Sequence, residues 1–418
     1  MDEKQRKKLH TFKQKKKSVQ DKKDAEPKQW SQLPDTIIME IYMNLGDVDR
    51  VSMARVCKTW YQVFHVPSLW RSREIDFGLR RANLEAFDKA KKESPVSNGK
   101  HAIKFVKQFP TSLEDIAIRF RFMSEQPTKQ MINDFKELCA SLDGAKLRNI
   151  SIWNLNVDTV SGQKRKDVID SLKRLLRDQS SIRKFKEDAS FYDLESGLEI
   201  LRCLADASAS TIQDLSLKDL VLNGVYMYRD GRVSAELKKF TGLSRIDFDY
   251  NLISEELVKT WVTTCPKLTF IKLCANDYVH PNHVISCEAW KSLVGTHPNL
   301  LVEFESSEIP DLKQMNDILS PAIPLFELSW YTFQNTSEFE LTRLLNRVAH
   351  YHRTVKHLCL RLSGQFPNLN TTAVQNILSK CSHLLPFKCV TKSKRKTFTG
   401  KKAWGLVQET SWLTENDI

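Results

Sequence analysis

Two clusters of residues in this 418-residue chain are of types that do chemistry. Cys265, Cys274, His280, His283 and Cys287 are thiol and imidazole donors of the kind that hold zinc. Their order, Cys-x8-Cys-x5-His-x2-His-x3-Cys, matches none of the paired spacings of structural zinc sites. Cys265 sits where a helical stretch passes into an apolar one, and Cys274 follows the last apolar residue of that stretch, which reads as packing. His350, His352 and His357 lie near a helix end and the strand after it, where an imidazolium gains from the helix dipole. No nucleophile stands at a defined spacing from them. The 13 glycines build no phosphate cradle, and neither His-Glu-x-x-His nor Gly-x-Ser-x-Gly occurs. The expectation is a chain without catalytic residues, metal or cofactor, whose chemistry is recognition.

Recognition needs a surface, and here the surface follows from a repeat. Segments with apolar residues at L-x-x-L-x-L spacing begin at Leu113, Leu147, Ile212, Leu243, Leu268, Ile323 and Val355. Weaker copies begin at Ile182, Leu300 and Leu384. Helical stretches alternate with them, for example residues 166–178, 194–208, 254–265 and 337–351. Ser254 and Ser337 stand ahead of carboxylates, as helix caps do. One strand-plus-helix unit cannot bury its apolar side alone, so neighbours stack into a solenoid. The expected fold is α/β, a curved parallel sheet with helices on its outer side. The period, roughly 23 to 36 residues, is longer and less regular than the about 20 to 29 of leucine-rich repeats. Two copies still resemble that pattern through to its asparagine: Leu243, Ile246, Phe248, Asn251 and Leu268, Ile271, Leu273, Asn276.

Because strand side chains alternate, the residues between the apolar positions face the open, concave side. That side is expected to bind a protein through Trp153, Arg245, Asp247, Asp249, Phe270, Lys272, Glu327, His357 and Arg361, with Asn149, Ser151 and Ser329 beside them. Mixed charge with a few aromatics suits a protein partner, whereas nucleic acid asks for a more uniformly basic face.

The sharpest local signal lies at residues 30–70. Pro34 suits the first turn of a helix, and Ile37, Ile38, Ile41, Tyr42 and Leu45 recur along it at helical spacing. Gly46 is placed to end that helix in a left-handed cap, and Asp47 to begin the next. A third helix carries Trp60, Val63 and Phe64 before Pro67 stops it. Three short helices cannot bury so much apolar surface among themselves. The remainder must meet the rest of the chain or a partner.

These residues resemble an F-box. The match runs through Leu33-Pro34-Asp35, Ile41, Leu45, Asp47, Asp49, Val56-Cys57-Lys58-Thr59-Trp60 and Pro67-Ser68-Leu69-Trp70-Arg71. Thr36 and Tyr42 depart from the family's usual Glu and Leu, and Tyr42 is placed to alter partner packing. Joined to the repeats, the chain resembles an F-box protein with a divergent leucine-rich-repeat C-terminal domain. Its branch resembles the F-box-only group, on the string Tyr250, Asn251, Ile253, Ser254, Glu256 and Leu257. The resemblance implies a substrate-recognition subunit of a Skp–cullin–F-box ubiquitin ligase, itself non-catalytic. It implies docking on a Skp-family adaptor, and through it a cullin–RING scaffold, with an unidentified protein held for ubiquitination. The adaptor-binding residues it implies are Leu33, Pro34, Ile38, Ile41, Leu45, Val56, Cys57, Trp60, Leu69 and Trp70, some of which must instead form the module's own core.

Composition bounds the rest. Hydrophobic residues at 41% and charged residues at 28% are ordinary for a globular protein, and no apolar run approaches the roughly 18 residues of a membrane helix. Nine cysteines without a secretory leader point to reduced thiols, in cytoplasm or nucleus. The net charge of +13 is concentrated at the ends. Residues 1–29 hold eleven Lys and Arg against five Asp and Glu, too polar to repay the entropy of ordering. A second cluster, Lys392, Lys394, Arg395, Lys396, Lys401 and Lys402, is interleaved with Phe398 and Trp404, followed by Trp412. The basic ends keep open an alternative, a nuclear scaffold or nucleic-acid-binding repeat protein. The expected divisions are a basic tail at 1–29, the F-box at 30–76, a connecting segment at 77–111, the solenoid at 112–390 and a C-terminal cap or tail at 391–418.

Overall fold

Pro34 leads into the first helix of the computed structural model, and its carbonyl accepts the Ile37 and Ile38 N–H groups at 2.9 and 3.1 Å. The structure describes residues 30–77, 96–120, 129–160, 162–222, 227–275, 283–307, 317–335, 338–351, 353–363, 371–381, 384, 387–391, 395–399 and 403–406. The tail at 1–29, His280, His352, Asn276, Ser337, Lys392, Lys394, Lys401, Lys402 and Trp412 lie outside the described residues. Two compact units divide the chain; of the described residues, one holds 30–71 and Val96, and the other holds 72–77 and those from Ser97 onward.

The first unit is helical. Helices α1 (Asp35–Met43), α2 (Asp47–Met53) and α3 (Lys58–Phe64) are followed by a 3-10 turn at Pro67–Trp70. Gly46 is not a left-handed cap: its φ is −69°, and it is the N-cap of α2, its carbonyl accepting from Arg50 N–H at 2.9 Å. No such cap is needed at the end of α1. The Asn44 and Leu45 N–H groups take the Ile41 and Tyr42 carbonyls at 3.1 Å, and the buried Arg50 guanidinium donates to Tyr42 O at 2.8 Å and Met43 O at 3.3 Å. A cation on the last carbonyls of a helix is favourable twice, as donor and against the dipole.

Among the described residues the strands form one sheet of fourteen. Its strands are β1 (Ser72–Asp76), β2 (Val96–Asn98), β3 (Asp115–Arg119), β4 (Asn149–Trp153), β5 (Lys184–Asp188), β6 (Asp214–Lys218) and β7 (Arg245–Asp249). They continue as β8 (Phe270–Ala275), β9 (Leu301–Ser307), β10 (Leu325–Asn335), β11 (His357–Ser363), β12 (Phe387–Thr391), β13 (Arg395–Thr399) and β14 (Ala403–Leu406). Spatial order follows chain order, except that β1 stands between β2 and β3. Pairing is parallel from β1 through β3 to β12, and antiparallel from β12 to β14. Every apolar segment recognised in the sequence, strong or weak, contributes a strand.

Helices supply the crossovers. They are α4 (Gly99–Gln108), α5 (Lys129–Ser141), α6 (Gly162–Arg177), α7 (Leu194–Ser208), α8 (Gly231–Leu237), α9 (Glu255–Thr264), α10 (Cys287–Thr296), α11 (Glu338–Val348) and α12 (Thr371–Lys380). Side-chain caps begin several of them: Asp193 accepts from Ser196 N–H, Ser254 from Leu257 N–H and Ser286 from Ala289 N–H. The turn from helix to strand recurs as a hydrogen bond spanning three residues, Leu268 N–H to Cys265 O, Leu300 N–H to His297 O and Leu384 N–H to Cys381 O. His297 ties two such turns together, its Nε2 lying 2.9 Å from Cys265 O. The core runs the length of the sheet between strands and helices, with Ile118, Ile152, Leu217, Phe248, Leu273, Phe304, Leu328 and Leu358 in equivalent places. At the same place in β5 stands Glu187, fully buried.

Candidate functional site

The helical unit divides the expected adaptor-binding residues in two. Ile38, Trp60, Leu69 and Trp70 are buried and form the module's own core, together with Tyr42, Val63 and Phe64. Their placement is fixed by polar as well as apolar contacts. Trp60 Nε1 donates to Trp30 O at 3.0 Å, Tyr42 Oη donates to Trp60 O at 3.0 Å, and Trp70 Nε1 donates to Phe64 O. The Tyr42 ring meets Trp60 edge-on at 5.8 Å, and Phe64 meets Trp70 at 4.8 Å. These four residues are therefore not adaptor contacts in this arrangement, because their side chains are closed off inside the unit. Tyr42 likewise departs from the family inside the core rather than at a partner surface. Burial pushes its phenol up to about 12, so it remains a neutral donor.

Pro34 and Val56 are exposed, and Leu33, Ile41, Leu45 and Cys57 are half-buried. With them stand apolar residues the motif did not mark: Trp30, Ile37, Met43, Val51 and Tyr61. Trp30 at 64% and Val56 at 58% exposed are large values for such side chains. A unit whose core is complete and which still shows this much apolar surface offers a face to another molecule.

On the sheet, alternation holds. In β7 the pattern is exposed, buried, half-buried, buried, buried, so Arg245 and Asp247 lie on the open side. Register lines up Arg245 with Phe270 and Asp247 with Lys272. Further across, Lys272 pairs with Glu303, Glu303 with Glu327, and Glu327 with His357. The predicted residues are thus brought onto one face, though Trp153 stands some strands away on β4. The side chain of Arg361 is outside the description; its backbone pairs with Tyr331 and Val390.

The face is dense in charge and largely self-paired. Lys272 Nζ lies 2.6 Å from both Glu303 and Glu305, and Lys218 Nζ lies 3.3 Å from Glu305. Burial would lower Lys272, but the two carboxylates outweigh it and hold it above the ordinary lysine range. Burial would raise Glu305, but Lys218 and Lys272 hold it below the ordinary carboxylate range. Two cation–aromatic pairs flank the network: Arg245 lies 3.8 Å over Phe270, and Arg119 lies 4.2 Å over Trp153. Glu303, Glu305 and Lys218 were not among the expected binding residues. They sit in the strands whose repeat signal was weak or whose outward positions went unread.

Asp249 is a correction. It is 5% exposed, and its Oδ2 accepts the Asp219 backbone N–H at 2.7 Å. The strand-end loops form a ladder in which Asn154 N–H bonds Asp188 O and Ala189 N–H bonds Lys218 O. At β7 the next residue turns into a 3-10 helix, and the Asp249 carboxylate supplies the acceptor instead. Burial, then the neighbouring Asp219, raises its pKa well above the ordinary range. Of the residues weighed for zinc, the four among the described residues are spread over separate elements. Cys265 Sγ meets Phe240 O at 3.3 Å, Cys274 Sγ meets Asp247 at 3.7 Å, His283 Nε2 meets Ile253 O at 2.7 Å, and Cys287 opens α10. Burial, then Asp247, pushes the Cys274 thiol up, away from thiolate reactivity.

Residues 30–76 match the family model described as F-box-like. F-box/LRR-repeat protein 21 of Bos taurus is 35% identical over 54 residues, 13% of this chain and 12% of that protein. Its namesake in Mus musculus is 40% identical over 47 residues, 11% of each chain. The chain thus matches only a small part of the length of these relatives. Among solved structures, the crystal structure of the Rad7 and Elc1 complex in yeast aligns over 91% of this chain and 92% of that one, at 11% identity and a TM-score of 0.38.

Proposed function

We propose, from an F-box-like domain at residues 30–76 joined to a parallel strand–helix solenoid, that the chain is the substrate-recognition subunit of a Skp–cullin–F-box ubiquitin ligase. The helical unit docks on a Skp-family adaptor and through it on a cullin–RING scaffold. The open face of the sheet holds the protein to be ubiquitinated, and a separate conjugating enzyme performs the transfer. The chain contributes position, turning an encounter in solution into a near-intramolecular one. It supplies no catalytic residue and no cofactor, and it works in cytoplasm or nucleus. The surplus of carboxylates over lysines at the centre of the sheet face is the wrong sign for a phosphate backbone, so the nucleic-acid alternative finds no support there.

The observation that carries the proposal is the exposed apolar set Ile37, Met43, Val51, Val56 and Tyr61 on a unit that already has a closed core. Affinity capture tests it. The wild-type chain co-purifies with the Skp-family adaptor, and the Ile37→Asp, Val56→Asp double variant loses it by about a hundredfold, since two charges are placed in an apolar contact. Both side chains point to solvent, so near-ultraviolet circular dichroism of the buried tryptophans stays unchanged. Retained capture by that folded variant would falsify the placement of the interface.

A further inference from the structure

The chemistry of the sheet face narrows the kind of protein it takes, on the premise that this face is where the receptor binds. Register sets Phe270 beside Leu301, which is 38% exposed. Phe326 is the extra residue where register shifts in β10, and its ring lies 5.2 Å from that of outward-facing His357. The three side chains place an apolar strip across β8, β9 and β10, with the Arg245 guanidinium 3.8 Å over Phe270 and the Lys356 ammonium 5.7 Å from the Phe326 ring at its two ends. At about 4.8 Å per strand the strip is about 10 Å long, room for two or three side chains. One pleat further along the strands come Asp247, Lys272, Glu303 and Glu327, and beyond them Lys218 and Glu305. Carboxylates outnumber ammoniums there, in a chain whose net charge is +13. Asp249 lies on the same side of β7, buried, and among the described residues its Oδ1 has no hydrogen-bond partner.

We propose that this face docks a cationic amphipathic protein segment. Its large apolar side chains lie along Phe270, Leu301 and Phe326, and lysine or arginine on one flank meets Glu303, Glu327 and Asp247. An acidic segment would meet a row in which Asp247, Glu303 and Glu327 stand against Lys272 alone, and a plain polycation would leave the apolar strip wet.

Three short synthetic peptides titrated into the full chain test this: leucine–lysine, leucine–glutamate and serine–lysine alternations of equal length. The leucine–lysine peptide binds about tenfold or more tighter than the other two. Glu327→Lys weakens it by about tenfold, and Leu301→Ser weakens it without steepening its salt dependence. Glu327 is suited to the test because it accepts from the Ser329 hydroxyl at 3.3 Å and takes no part in the pairs of Lys272 with Glu303 and Glu305, so the substitution leaves those pairs in place. Equal binding of the leucine–glutamate or serine–lysine peptide overturns the proposal, as does undiminished binding by Glu327→Lys. Adaptor capture by the same variants is read in parallel. Peptide discrimination lost with capture intact overturns this inference alone, and capture lost in the wild type overturns the receptor reading.

Discussion

The Trp70→Ala chain is expected to lose its helical unit. The indole is 1% exposed, its Nε1 donates to Phe64 O, its ring meets Phe64 edge-on at 4.8 Å, and the Arg50 guanidinium lies 5.4 Å above it. Truncation removes the buried area, leaves the Phe64 carbonyl without its donor, and takes away the floor under Arg50. That guanidinium in turn caps α1 through Tyr42 O and Met43 O. Trp→Ala in a core costs about 3–5 kcal/mol. A unit of three short helices has no such reserve, because small units bury too little surface. Limited proteolysis then cuts within residues 30–71 of Trp70→Ala, and adaptor capture disappears. The Ile37→Asp, Val56→Asp variant loses capture with the wild-type digestion pattern. Two variants that both lose the adaptor are thereby separated by cause, and protection of Trp70→Ala at the wild-type level would show that the indole is not what holds the unit together.

The contrast between Trp70 and Val56 also marks where sequence reasoning stops. The apolar register of residues 30–70 announced a helical unit with a partner, but Ile37 and Ile38 are the same residue type on adjacent positions of a nine-residue helix. Periodicity over so short a helix gives a broad apolar face and does not divide it; tertiary packing buried Ile38 and left Ile37 out. Gly46 misled because a glycine after an apolar run suggests a left-handed end, and nothing local says that Arg50 will cap the helix. In the sheet, the strong copies were legible because each places apolar side chains on one face of a strand. Glu303 and Glu305 were passed over because the Leu300–Leu301 doublet obscures the alternation that Val302 and Phe304 continue. Asp249 alternates outward as expected, yet its role depends on an N–H group of Asp219, a full repeat away in the chain.

Glu187 is the residue where the repeat is broken most sharply, and it should make stability depend on pH. Its carboxyl occupies a place held by Ile152 in β4 and Leu217 in β6, and it is wholly buried. Ser190 Oγ donates to its Oε1 at 2.8 Å, and Tyr192 Oη donates to the same oxygen. These hydroxyls hold the loop after β5, where Ala189 and Phe191 adopt positive φ of 56° and 50°. Burial pushes the carboxyl up to about 7, against the pull of the two hydroxyls. The folded chain therefore keeps this proton up to about pH 7, whereas the unfolded chain releases it near the ordinary glutamate value, about 4.3. Between those values the folded state binds more protons, so stability falls as pH rises through the window and is level on either side of it. The full fall is on the order of 4 kcal/mol, from about 1.4 kcal/mol per unit of difference. Glu187→Gln keeps an acceptor for Ser190 and Tyr192 but cannot ionise. Urea unfolding at pH 5 and pH 8 should show wild type losing stability relative to Glu187→Gln by most of that amount, other titrating groups cancelling in the comparison. Glu187→Leu restores the repeat's residue but leaves two hydroxyls unmet, so it should be the least stable of the three at pH 5 and gain on wild type at pH 8. Parallel pH profiles for wild type and Glu187→Gln would mean that the carboxyl ionises without cost, and that the break in the repeat at β5 is not held by a protonated acid.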